Sequence, residues 1–185
     1  ELSLLSDEFL DSVAHSTTPN LQLGLLRRLL GDQIRTVSRK NLVKGRKFSE
    51  MLNDALTRYT NRSLTTAEII AELVNLAKEM RADKERTQKL GLSEAEIALY
   101  DAIIQNDSAI LEMGDETLKT IARELVATIR SSATLDWTLK ESVRARMRSR
   151  IKRLLAKYKY PPDKREQAVQ LVIKQAEHLA TGEQD

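Results

Sequence analysis

An all-α fold, an irregular bundle of about eight helices, is what the amino-acid sequence predicts, and three observations predict it. Apolar residues recur at spacings of three and four almost from end to end, with no convincing stretch of strand-like alternation. Glycines number 6 and prolines 3, too few for a chain built on turns. Two Ser/Thr-x-x-Glu capping boxes, at Thr65 with Glu68 and at Ser93 with Glu96, stand where helices should start. At 185 residues the chain is long enough to close an ordinary core without a disulfide or a metal. It reads as a single helical domain over 1–185, with a weak subdivision into 1–62 and 63–185 at the short turn Asn61 to Leu64.

The elements follow in order. A first helix, about Ser6 to His15, carries Phe9, Leu10 and Val13 and stops at Thr17-Thr18-Pro19. A second, about Asn20 to Ser38, has so many leucines that its stripe covers two faces, so it should sit centrally or meet a partner. A third, about Phe48 to Thr60, is an ordinary amphipathic helix. The fourth starts at the Thr65 box, with Leu64 and Ile69 as hydrophobic staple, and runs to Met80; the tract Arg81 to Lys89 holds no large apolar residue and is either a solvated helix extension or a mobile connection. The Ser93 box opens a fifth helix through Tyr100 and Ile104, and a sixth follows Gly114 with Asp115 as its expected cap. A seventh, Thr138 to Tyr158, ends at Pro161-Pro162, which also open the eighth, through Val169, Val172, Ile173 and Leu179.

The net charge of +3 hides an asymmetry. Thr138 to Arg165 carries eleven cationic side chains against Glu141 and Asp163, and Arg27 to Lys47 carries eight against Asp32 alone. On the seventh helix these cations crowd the circumference left by one apolar stripe, and their mutual repulsion calls for an acidic counterpart. Three counterparts fit: carboxylates of this same chain, an acidic protein surface, or the phosphates of duplex DNA.

Other chemistry is poorly represented. With no cysteine, thiol catalysis and Cys-ligated zinc are excluded, and a reducing compartment is expected. Gly45-Arg46-Lys47-Phe48-Ser49 has the end of a phosphate loop without its first glycine or a preceding strand. His15 and His178 lack ligand spacing, and the carboxylate pairs Glu68 with Glu72 and Glu94 with Glu96 read as solvated or helix-start residues. Trp137, Tyr59, Tyr100 and Tyr158 adjoin apolar stripes and read as core residues with a polar tip in water. No catalytic, cofactor or metal residue is therefore assigned. No apolar run approaches the roughly 20 residues of a membrane span, and no signal-peptide pattern opens the chain, so a cytoplasmic location is expected. The chain starts at Glu1 rather than Met, and a piece of a longer protein is expected.

The order of several local patterns carries a resemblance. Ser38-Arg39-Lys40-Asn41-Leu42, Phe48-Ser49-Glu50-Met51-Leu52, Tyr59 with Asn61-Arg62, Asp136-Trp137-Thr138, the basic helix from Glu141 through Tyr158, and Tyr160-Pro161-Pro162-Asp163-Lys164 together resemble the C-terminal helical region of the restriction (R) subunit of type I restriction-modification enzymes. The similarity runs from about Leu4 to about Ala180. It implies a parent that joins a Mg-dependent endonuclease domain and ATP-driven DNA-translocating motor domains to a terminal helical part. That part would be non-catalytic and would dock the motor on the methyltransferase core of modification and specificity subunits, while packing on the motor domains of its own chain. ATP and Mg would belong to the upstream portion. On this reading Arg144, Arg148, Arg150, Arg153 and Lys157 are the candidates for contacting an acidic surface. The alternative is a nucleic-acid-binding module that guides duplex DNA along the same helix; a scaffold bracing the motor domains is the third reading.

Overall fold

The computed structural model describes residues 6–132 and 140–182. Among them are nine α-helices, α1 (Asp7–Ala14), α2 (Pro19–Ser38), α3 (Leu42–Thr60), α4 (Thr66–Gln88), α5 (Glu94–Ile103), α6 (Asp107–Met113), α7 (Asp115–Ser132), α8 (Glu141–Lys157) and α9 (Arg165–Gly182), with a 3-10 turn at Pro162–Lys164 and no strand. The fold is all-α. Leu4, the Asp136-Trp137-Thr138 motif and the expected start of the basic helix at Thr138 and Leu139 lie outside the described residues.

Both capping boxes form. The Thr65 hydroxyl accepts the Glu68 N–H at 3.2 Å while the Glu68 carboxylate accepts the Thr65 N–H at 3.0 Å; Ser93 and Glu96 repeat this at 3.3 and 2.9 Å. Each box satisfies two of the N–H groups that a helix start leaves without intrahelical partners. Asp115 is the first residue of α7 rather than its cap, a position taken by Gly114 at φ +76°. The carboxylate of Asp115 instead accepts the Tyr100 hydroxyl at 2.6 Å.

Among the described residues, the chain forms two compact units, one within Glu1–Ser38 and Lys44–Leu90, the other within Arg39–Val43 and Gly91–Asp185. The turn at Asn61 to Leu64 falls inside the first. Leu10, Leu26, Phe48, Ile69 and Leu73 form the centre of the first unit's core, contributed by α1 to α4. Beyond Met80, α4 continues as helix to Gln88, and ion pairs replace apolar packing there. Lys44 meets Asp83 at 2.7 Å with both side chains largely buried, and Arg81 meets Asp7 at 2.9 Å.

The core of the second unit joins Leu99 and Ile103 of α5, Ile121 and Leu125 of α7, Ile151 and Leu155 of α8 and Val169 of α9. Tyr160 is completely buried in it and donates its hydroxyl to the Ile103 carbonyl at 2.5 Å. The turn that delivers Tyr160 places Lys159 at φ 57°, and the Tyr160 N–H closes it on the Leu155 carbonyl at 2.9 Å. No helix among the described residues is long and apolar enough to cross a membrane.

Candidate functional site

The most strongly charged element is α8, and its sequence sorts into three stripes. Met147, Ile151 and Leu155, four residues apart, are buried in the second unit's core. A helix turns by about 100° per residue, so Arg144, Arg148 and Lys152, spaced by four with the last two directly following Met147 and Ile151, line one flank of that stripe. Arg146, Arg150, Arg153 and Lys157, spaced by four, three and four, line the other.

The two flanks differ in what they meet. The first runs along α9, where Arg144 pairs with Glu177 at 3.4 Å and Lys152 with Glu166 at 2.9 Å. Hydrogen bonding and charge from Lys152, with a smaller contribution from Arg148, hold the Glu166 carboxyl below its ordinary range. Arg144 also reaches Glu141 at 3.2 Å, and the Nε–H groups of Arg144 and Arg148 are buried without a hydrogen-bond partner among the described residues. This flank is engaged within the unit. On the second flank Arg146, Arg150 and Arg153 are exposed. At its C-terminal end the Lys157 ammonium stands 3.6 Å from Glu124 of α7 and 5.2 Å from the centre of the Tyr158 ring, and the Tyr158 hydroxyl donates to the same Glu124.

The five residues singled out from the sequence are therefore divided: Arg150, Arg153 and Lys157 share the outward flank, whereas Arg144 and Arg148 turn toward α9. Arg146 belongs with the outward set, and its four-residue spacing to Arg150 was readable from the sequence. The pairing of the other flank was not, because Glu177 lies 33 residues from Arg144 along the chain.

The second basic stretch is largely compensated. Lys40 pairs with Glu94 at 2.8 Å, Lys44 with Asp83, Arg46 with Glu50 at 2.8 Å, Lys47 with Glu79 at 3.1 Å, and Arg35 with Asp32. The sequence Gly45-Arg46-Lys47-Phe48-Ser49 lies inside α3, with Gly45 buried. The carboxylate pairs are likewise occupied: Glu68 and Glu96 complete capping boxes, Glu72 binds the Arg58 guanidinium and Glu94 binds Lys40. His15 stacks no chemistry around it, its Nδ1 lying 3.0 Å from the Asp11 carbonyl oxygen, and His178 is half-buried on α9. Tyr59 is half-buried against the first unit's core, and Tyr100, whose hydroxyl meets Asp115, has its pKa driven well up by burial and by that carboxylate. Trp137 lies outside the described residues.

Comparison with known proteins gives this geometry its context. Residues 1–182 match the family described as Type I restriction enzyme HindI endonuclease subunit-like, C-terminal. The chain is 46% identical over 180 residues to the type I restriction enzyme HindI endonuclease subunit of Haemophilus influenzae, covering 97% of this chain and 17% of that protein. It is 38% identical over 160 residues to the putative type I restriction enzyme MjaIXP endonuclease subunit of Methanocaldococcus jannaschii, covering 85% of this chain and 15% of that one. The chain thus spans about one sixth of the length of these curated relatives. No solved structure matches it. The chain belongs to the C-terminal family of HindI-like type I restriction enzyme endonuclease subunits.

Proposed function

We propose that this chain is a non-catalytic docking module, which holds the endonuclease and translocase parts of its parent subunit on a methyltransferase core of modification and specificity subunits. The contact is made by the outward flank of α8, through Arg146, Arg150, Arg153 and Lys157, against an acidic surface of that core. One observation carries the reading: the cations of α8 lie on two flanks, one running along α9 with Arg144 and Lys152 paired to its carboxylates, the other presenting Arg146, Arg150 and Arg153 as exposed side chains. Membership of an endonuclease-subunit family supplies the setting. A row of exposed arginines in such a place raises encounter rate and orients the partner more than it adds affinity.

The test is a titration of the chain against assembled methyltransferase core and, separately, against duplex DNA, each at two ionic strengths. The docking reading expects saturable binding to the core that weakens with salt. Absence of core binding, together with DNA binding whose salt slope approaches about −0.9 per phosphate neutralised, would replace it with the DNA-guiding reading.

A further inference from the structure

Among the described residues of the first unit, two large apolar side chains stand exposed, Leu21 at 72% and Leu25 at 41%. Both lie on α2, one turn apart. At about 100° per residue, Leu21 points almost directly away from the mean direction of Leu26, Leu30 and Ile34, the residues that α2 buries. Leu25 is about 40° from Leu21 on the same outer face. Packing within the unit therefore leaves both in water, on the face where a surface helix ordinarily carries charge.

The rest of that face is equally open. Arg28, seven residues after Leu21, is exposed and joins no ion pair among the described residues, whereas Asp32 and Arg35 beyond it pair with each other. Gly24, at the edge of the face, has no atom within 4 Å of where a Cβ would sit, so its backbone is accessible to a closely packed neighbour.

The occupant is indicated by length and by charge. The matched region makes up 17% of the HindI relative and 15% of the MjaIXP relative, and its family is described as C-terminal, so most of such a subunit precedes it. α2 is the second helix of the matched region and stands close in sequence to that preceding part. A second copy of α2 is a poorer occupant, because its one acidic residue is Asp32, already held by Arg35, and Arg28 would find no free carboxylate.

We propose that the outer face of α2 packs on the polypeptide preceding this region in the parent subunit. Leu21 and Leu25 enter an apolar patch there, and Arg28 meets a carboxylate at its rim. The inference rests on family membership and not on the docking role of α8.

Thiol labelling at position 21 tests it. This chain has no cysteine, so Leu21→Cys places a single thiol in it, and mass spectrometry of the labelled peptide follows that thiol in the full-length parent subunit as well. The thiol should react freely in the chain by itself and at least about tenfold more slowly in the parent, at any protein concentration and without methyltransferase core. Adding Leu25→Asp and Arg28→Glu to the Leu21→Cys parent should raise its rate at least about threefold, while the helical circular dichroism stays unchanged. Equal rates in chain and parent, or a rate that the added substitutions do not raise, would overturn the proposal. So would slow reaction in the chain alone, which assigns the face to this chain's own residues, protection that grows with concentration, which assigns it to a second copy, or protection only on adding the core. No methyltransferase core is needed for the expected result, so its failure is distinguishable from failure of the docking titration.

Discussion

Gln175 and Leu42, 133 residues apart in the chain, are joined by a hydrogen bond in which the Leu42 N–H donates to the Gln175 Oε1 at 2.8 Å. The same amide donates through Nε2 to the Lys40 carbonyl at 3.1 Å, and Asn41 between them donates to the Asp101 carboxylate at 2.6 Å. Gln175 is 1% exposed, so its two bonds are made out of water, and they satisfy an N–H that the first turn of α3 leaves open. Replacing it with leucine, of similar volume, strips both peptide groups of their partner. Urea denaturation of Gln175→Leu should show a loss of about 2–3 kcal/mol. A loss under about 0.5 kcal/mol would show that this amide does not hold the start of α3.

Two glycines in helix interiors should respond to alanine in opposite directions. At Gly45 an added Cβ would lie 2.7 Å from the Ser38 Cα, a backbone atom that cannot move aside cheaply, and Gly45→Ala should cost about 1–3 kcal/mol. At Gly24 there is open space, and Gly24→Ala should gain about 0.5–1 kcal/mol from helix propensity alone. Thermal or chemical unfolding of the two variants under one set of conditions reads the sign of each. A stabilised Gly45→Ala would mean that α2 and α3 do not approach as closely as described.

How much of this was legible beforehand depends on the range over which each feature is determined. The capping boxes at Thr65 and Ser93 are local in sequence and formed as read. The sequence places the start of α3 at Phe48 because Leu42 to Lys47 carries no amphipathic stripe; the helix begins six residues earlier, where Gln175 supplies a cap from α9. The charged end of α4 was open between helix and mobile connection; Lys44 and Asp7, distant in sequence, hold it helical. α6 went unread because Ile110 and Leu111 face solvent, leaving no stripe to detect. At the candidate site the density of arginine on α8 was plain, whereas its division between flanks depended on Glu166 and Glu177, whose positions only the packing of α8 on α9 reveals.

Tyr160 gives the chain an alkaline limit. Burial raises its phenol from the ordinary value of 10.0 to about 12, with the nearby Asp163 charge adding to the rise and the polar Asn106 side chain opposing it. A group whose folded pKa is raised favours the folded state in its protonated form. That stabilisation is therefore complete below pH of about 10 and is lost as pH rises through about 12. The unfolding free energy of the native chain should fall more steeply between those pH values than that of Tyr160→Phe, in which this ionisation is absent. Parallel slopes for the two proteins would contradict the assignment.

If the chain docks as proposed, the outward flank of α8, and not the flank facing α9, meets the methyltransferase core. The decisive measurement compares the affinity of two charge-reversed chains, R146E/R150E/R153E and R144E/R148E, for the assembled core, with helicity followed in both. At least about a tenfold loss is expected for the first, with helicity retained, because a run of reversed charges would face an acidic surface. For the second, a loss of folding stability is expected, from placing one glutamate against Glu177 and another within the charge influence of Glu166, with little change in the affinity of the folded fraction. Unchanged affinity in R146E/R150E/R153E would contradict docking by the outward flank.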